Sequence, residues 1–125
     1  MGNKNKILVV EDNRETQLII KAVLRNDFEL EIVPSADAAR NTLAKDKIDL
    51  VLLDLNLSGE GNGKSILMEI RGGSKTKDLP VIVTTAYDLN EEDKKFFEEN
   101  ANTFLLKPLD KKILLESINA LLSQN

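Results

Sequence analysis

The chain has no cysteine and no histidine among its 125 residues. Without cysteine it cannot form a disulfide framework, a thiolate nucleophile or a cysteine-based zinc site. Without histidine it lacks the commonest general base and the commonest transition-metal ligand, and it cannot carry a phosphohistidine. Any chemistry must therefore use carboxylates, hydroxyls, amides, lysine and backbone groups.

Aromatic residues and long apolar runs are also scarce. There is no Trp and only one Tyr, and the formal net charge is -4, so nucleic acid is not expected as a direct partner. No apolar run approaches the roughly 20 residues that cross a bilayer, and the N-terminus has no signal-peptide core. We therefore expect a cytoplasmic protein without a membrane partner.

The size and composition are typical of one globular domain. Hydrophobic residues make up 42% of the chain and charged residues 30%, which is enough apolar surface for a substantial core. The prediction is a single domain over residues 1–125, with its core at about 6–122.

Short apolar runs alternate with helical patterns along the chain. Strands are predicted at about 6–10, 30–33, 50–53, 81–83 and 103–106, and helices at about 14–26, 35–45, around 66–70, from 90 and from 110. Within the first helix, the apolar spacing predicts that Thr16, Ile19, Ile20 and Val23 share one face. The alternation predicts an α/β fold, a (βα)₅ doubly wound parallel sheet in the flavodoxin-like order 2-1-3-4-5.

Four of the five apolar runs end in residues capable of phosphate or metal chemistry. These are Glu11-Asp12 after the first run, Asp54 after the third, Thr84-Thr85 after the fourth and Lys107 after the fifth. In such a sheet the ligand crevice lies beyond the carboxyl ends of the strands, where strands one and three diverge. The pattern therefore predicts one site built from one edge of the sheet.

The residue types at this edge favour phosphoryl transfer to a carboxylate. Three converging carboxylates repel one another unless a cation lies among them, and an all-oxygen ligand set favours Mg²⁺, with Mn²⁺ as an alternative. Asp54 is the candidate nucleophile, Lys107 can neutralise charge on the transferring oxygens, and Thr84 or Thr85 can donate a hydrogen bond.

Four motifs follow one another along the chain: Glu11-Asp12, Asp54, Thr85-Ala86 and Lys107-Pro108. Together and in this order they resemble the motifs of the receiver (CheY-like) domains of two-component response regulators. The resemblance extends from Lys6 to about Leu122. It implies that Asp54 accepts a phosphoryl group from a sensor histidine kinase or a histidine phosphotransfer protein. The conformation of the face formed by helix four, strand five and helix five would then change, and a downstream protein partner would bind that face differently.

The same resemblance assigns further roles. Mg²⁺ would be held by Glu11, Asp12, Asp54 and the backbone carbonyl of Asn56. Lys107 would contact the phosphoryl group. Thr85 rather than Thr84 would be the switch hydroxyl, Phe104 would be the aromatic switch residue, and the peptide bond between Lys107 and Pro108 would be cis.

The chain departs from the family pattern in the loop after Asp54. Ser58 stands where a proline is common, and the glycine usually found eight residues after the acceptor comes one later, at Gly63. Asn56 and Tyr87 occupy positions that vary within the family and tune the rate of dephosphorylation.

Two other functions fit part of the pattern. A Mg²⁺-dependent phosphatase resembling haloacid dehalogenases would also use an aspartyl phosphate, but it needs Asp-x-Asp after the first strand, where this chain has Glu11-Asp12-Asn13. A protein-interaction module could keep the fold without the phosphorylation. The output is left open, because the chain could be a stand-alone receiver or a segment of a hybrid kinase or larger regulator.

Overall fold

The structure, a computed structural model, describes residues 4–57, 63–86 and 89–123. Five strands form one parallel sheet in the order β2-β1-β3-β4-β5, and a helix follows each strand. The predicted α/β fold and strand order are confirmed.

The elements lie close to their predicted positions. They are β1 Lys6–Val10, α1 Arg14–Leu24, β2 Glu29–Val33, α2 Ala36–Lys45, β3 Leu50–Asp54, α3 Gly63–Gly72, β4 Val81–Thr85, α4 Glu91–Asn100, β5 Thr103–Leu106 and α5 Lys111–Leu122. The first helix ends two residues earlier than predicted, and β3 extends to include Asp54. Within the described ranges, no helix has both the length and the apolar character needed to cross a membrane.

The core has two layers, one on each face of the sheet. On one face, Leu8 and Val10 of β1 pack with residues of α2, α3 and α4. On the other face, Ile7 and Val9 pack with residues of α1 and α5. Every residue of β3 and β4 is buried, as expected of central strands that helices cover on both sides.

The predicted inner face of α1 is wrong at one position. Ile20 and Leu24 are fully buried, Thr16 and Val23 are partly buried, but Ile19 is 52% exposed. Successive residues of an α-helix differ by about 100° around its axis. Because Ile20 and Leu24 lie at the centre of the buried stripe, Ile19 points away from the core.

Polar N-cap residues fix where four helices begin. Asn13, Ser35, Asn90 and Asp110 each accept a hydrogen bond from the backbone N–H three residues later. Such caps satisfy donors that the first helical turn leaves unpaired. The caps of α1 and α4 start these helices within a few residues of the strand ends.

Gly63 begins α3 and lies against the end of β3. A Cβ atom on this residue would come within 2.8 Å of the Asp54 carbonyl oxygen and 2.9 Å of the Leu55 Cα. Gly63, the glycine that comes one residue later than in the family pattern, therefore lets the start of α3 pack closely against the backbone of the candidate acceptor, Asp54. The other loop departure, Ser58, lies outside the described residues, as does Tyr87.

We expect Gly63→Ala to lower the free energy of unfolding by about 1–3 kcal/mol, because the backbone at Asp54 and Leu55 must shift. Gly72→Ala is the matched control, since it is also in α3 and a Cβ there meets no atom within 4 Å. Its effect should be neutral or slightly stabilising. Urea denaturation measures both, and equal effects of the two substitutions would contradict the packing role of Gly63.

Candidate functional site

The register of the sheet brings four strand ends together. Val10 of β1 pairs with Leu53 of β3, so the residues that follow them, Glu11 and Asp54, lie side by side. Asp54 in turn pairs with Thr84 of β4. On the far side of β4, the backbone N–H of Lys107 donates to the carbonyl of Thr85 at 2.8 Å. The predicted site residues of β1, β3, β4 and β5 therefore share one edge.

Three carboxylates form the centre of the site. Glu11, Asp12 and Asp54 each offer an oxygen, and these oxygens lie within 4.8 Å of one another. Glu11 is 1% exposed and Asp54 is 2% exposed, whereas Asp12 is partly buried. Burying like charges at this distance is unfavourable unless a cation compensates them.

Lys107 provides part of that compensation. Its Nζ lies 2.8 Å from Glu11 Oε1 and 3.3 Å from Asp54 Oδ2, so one ammonium group bridges the carboxylates of β1 and β3. Burial alone would lower the pKa of Lys107, but the adjacent Glu11 and Asp54 carboxylates raise that pKa by more. The lysine is therefore kept protonated.

The compensation is incomplete at Glu11. Burial raises the pKa of the Glu11 carboxyl group, and the neighbouring Asp54 raises it further, while Lys107 and the backbone N–H of Asn13 act in the opposite direction. Within the described part of the chain, Glu11 Oε1 has the Lys107 ammonium group at 2.8 Å and no other donor in hydrogen-bonding geometry. The buried cluster retains an excess of negative charge.

The donor set fits a hard divalent cation. When ionised, three carboxylates and one lysine leave a formal charge of -2, and all available ligand atoms are oxygens. Glu11, Asp12 and Asp54 could hold Mg²⁺ or Mn²⁺. Such an ion would neutralise charge on a phosphoryl group. The backbone N–H of Asn56 donates to Asp54 Oδ1 at 2.9 Å, which positions this residue beside the cluster. The role of its carbonyl as a metal ligand stays a prediction.

The two threonines that end β4 are both buried, with Thr84 2% and Thr85 0% exposed. Thr85 Oγ1 donates to the side-chain oxygen of Asn56 at 3.0 Å, and the backbone N–H of Ala86 donates to the same oxygen at 3.1 Å. The resemblance to receiver domains implied a backbone carbonyl ligand at Asn56 and a position that tunes dephosphorylation, but it did not predict this side-chain bridge to the end of β4. The sequence feature that could have indicated this bridge is an amide side chain two residues after Asp54, close to the end of the neighbouring strand.

Phe104 lies on β5, opposite Val83 of β4, and is 39% exposed. It lines a groove of about 360 Å³ between β5 and α4, whose walls in the described residues are Leu89, Lys94, Phe97, Glu98, Phe104 and Leu106. The peptide bond between Lys107 and Pro108 is cis, as predicted.

Residues 7–119 match a known protein family, the response regulator receiver domain. The chain is also 33% identical over 118 residues to the phosphate regulon transcriptional regulatory protein PhoB of Escherichia coli. That match covers 94% of this chain and 51% of PhoB, so the chain spans about half the length of this relative.

Two solved structures with bound metal ions have the same fold. The receiver domain of sensor histidine kinase PA1611 from Pseudomonas aeruginosa PAO1, with magnesium coordinated in its active site cleft, aligns with a TM-score of 0.87 at 26% identity, over 97% of this chain and 99% of that one. The Mn²⁺-bound form of response regulator Rcp1 aligns with a TM-score of 0.76 at 31% identity, over 93% of this chain and 90% of that one.

We expect Glu11→Gln to raise the thermal unfolding temperature in metal-free buffer at pH 8, because it removes a buried charge. Mg²⁺ should stabilise the variant less than the original chain, since one ligand charge is lost. Because the folded state raises the pKa of Glu11, the glutamate favours folding when protonated, and this contribution is lost as the pH rises through that pKa. The stability difference should therefore shrink as the pH falls.

Calorimetry at pH 8 and pH 5, with and without Mg²⁺, measures both effects of Glu11→Gln. Equal stabilisation of the two proteins by Mg²⁺ would remove Glu11 from the metal site. A stability difference that grows on acidification would contradict the raised pKa.

Proposed function

The chain belongs to the response regulator receiver domain family, and we propose that Asp54 accepts a phosphoryl group in a Mg²⁺-dependent reaction. The observation that carries the proposal is the buried carboxylate of Asp54, which lies 3.3 Å from Lys107 Nζ and within reach of Glu11 and Asp12. A nucleophile, a cationic side chain and a cation-binding acid pair are the groups that such a transfer requires.

The chemistry follows from how Asp54 is held. One carboxylate oxygen accepts the Asn56 N–H and the other pairs with Lys107, which fixes the plane of the group. An Asp54 oxygen attacks the phosphorus of a phosphohistidine on the donor protein. The new O–P bond forms as the N–P bond breaks, and the imidazole leaves with the electron pair. Lys107 moves from its carboxylate partners toward the phosphoryl oxygens, whose charge it neutralises.

The proposal includes a conformational switch at Thr85 and Phe104. Thr85 would donate its hydroxyl to the phosphoryl group, and Phe104 would turn inward into the space that Thr85 leaves. The face formed by α4, β5 and α5 would then present a different surface to a partner. Partly exposed apolar side chains on this face, Phe104, Leu106 and Ile113, support its use in protein binding.

The partners belong to the proposal as well. We infer a sensor histidine kinase or a histidine phosphotransfer protein as phosphodonor, and a downstream protein as recipient of the signal. We also infer a cytoplasmic location and one domain over residues 1–125, with its core at about 6–122. Because the site is a phosphoacceptor, we expect self-catalysed transfer and dephosphorylation rather than turnover of a metabolite. A phosphatase resembling haloacid dehalogenases would need a carboxylic acid two residues after its nucleophile, whereas this chain has the amide of Asn56 two residues after Asp54.

Acetyl phosphate with Mg²⁺ should give one phosphoryl adduct on the intact protein, detected by mass spectrometry. Asp54→Asn should abolish the adduct, because an amide is not a competent nucleophile. Asp27→Asn, which changes an exposed carboxylate outside the site, is the control and should leave the adduct unchanged. An adduct that forms without Mg²⁺ or persists in Asp54→Asn would contradict the assignment, and hydrolysis of generic phosphomonoesters would favour the phosphatase.

Beryllofluoride with Mg²⁺, which mimics an aspartyl phosphate, should change the environment of the Phe104 ring. We expect new nuclear Overhauser contacts between that ring and Thr85, because both residues move in the proposed switch. The buried ring of Phe28, 6% exposed in the layer beside α1, is the internal control and should not shift. An unchanged Phe104 ring on saturation would exclude it as a switch residue.

A further inference from the structure

Asn56 connects the candidate acceptor to the end of β4. Its backbone N–H donates to Asp54 Oδ1 at 2.9 Å, while its side-chain oxygen accepts the Thr85 hydroxyl at 3.0 Å and the Ala86 N–H at 3.1 Å. The same residue thus contacts both the carboxylate of Asp54 and two hydrogen-bond donors at the end of β4.

The side-chain oxygen of Asn56 is fully used in this arrangement. An amide oxygen has two lone pairs, and both are directed to donors here. Thr85 is also completely buried, so its hydroxyl has little access to solvent. The contact therefore holds the end of β4 toward the loop that follows β3.

A phosphoryl group on Asp54 would offer the same donors a stronger acceptor. Anionic oxygens form shorter and stronger hydrogen bonds than a neutral amide oxygen does. For Thr85 to reach the phosphoryl group, its hydroxyl must leave Asn56 Oδ1, so the two acceptors exclude each other.

We propose that the side chain of Asn56 is a positioning residue that stabilises the resting conformation by holding the Thr85 hydroxyl and the Ala86 N–H in competition with the phosphoryl oxygens. This inference rests on the proposed function of Asp54. The identity of the residue at position 56 then sets how readily the domain enters its active conformation, independently of the chemistry of phosphoryl transfer.

Asn56→Ala isolates this role, because it removes the side-chain amide and leaves the backbone groups in place. The N–H to Asp54 and the backbone carbonyl both remain. Loss of one to two hydrogen bonds from the resting state should tighten the binding of beryllofluoride with Mg²⁺ by about threefold to tenfold. Isothermal titration measures this affinity directly.

Asn102→Ala is the matched control. The side-chain oxygen of Asn102 also accepts two hydrogen bonds, from the Val81 N–H and from Arg71, each at 2.9 Å, but at the opposite end of the sheet. This variant should lose stability without gaining affinity for beryllofluoride. An equal gain in both variants would show a general effect of destabilisation and would overturn the proposal.

Amide hydrogen exchange of Ala86 tests the resting contact without any phosphoryl mimic. Exchange should accelerate severalfold in Asn56→Ala and return toward the original rate in Asn56→Asp, which restores an acceptor oxygen at this position. Unchanged Ala86 exchange in Asn56→Ala, or unchanged or weaker beryllofluoride binding by that variant, would overturn the inference alone. Failure of the original chain to bind beryllofluoride would overturn the proposed function and, with it, the competition.

Discussion

The site depends on one electrostatic constraint: two carboxylates, Glu11 and Asp54, are buried next to each other at the ends of adjacent parallel strands. The pairing of Val10 with Leu53 in the sheet fixes their positions, because both strands are buried on both faces and cannot slip without exposing their apolar residues. The hydrophobic core therefore forces an unfavourable arrangement of charge at the sheet edge.

Lys107 compensates part of the negative charge of these two buried carboxylates. A single ammonium group contacts both carboxylates, yet burial and the neighbouring Asp54 raise the pKa of Glu11 by more than Lys107 lowers it. The residual negative charge of this cluster is compatible with a divalent cation, and in the proposed reaction Lys107 would transfer from its carboxylate partners to the incoming anion. The same charge imbalance that is unfavourable for folding thus supports the proposed roles of the site in metal binding and phosphoryl transfer.

The neutral part of the site has a different role. Thr85, Ala86 and Asn56 form hydrogen bonds between neutral groups rather than ion pairs, and such bonds are weaker than hydrogen bonds to an ionised group. In the proposed phosphorylated state, an anionic acceptor on Asp54 would compete with these hydrogen bonds. Strong charges at the carboxylate cluster and weaker neutral hydrogen bonds beside it together suit a domain whose conformation responds to one added group.

The sequence predicted much of this, for identifiable reasons. Continuous apolar runs such as Leu50–Leu53 indicate strands covered on both faces, and chemically capable residues directly after such runs predict a shared edge. The inner face of α1 was predicted less well, since Thr16, Ile19, Ile20 and Val23 are all compatible with a helical stripe in sequence, yet Ile19 is exposed. Periodicity shows that a stripe exists, but packing against the sheet decides its centre.

By itself, the sequence determined the parallel α/β fold and the set Glu11, Asp12, Asp54 and Lys107, because apolar periodicity and strand-end chemistry are local properties of the chain. The strand order followed from that alternation together with the general rule of right-handed crossovers. Only the tertiary structure decided that Lys107 pairs with both Glu11 and Asp54, that Gly63 packs against the Asp54 carbonyl and that the Asn56 side chain binds Thr85 and Ala86. These contacts join residues up to 96 positions apart. Their geometry follows from strand register and side-chain reach, which no local pattern encodes.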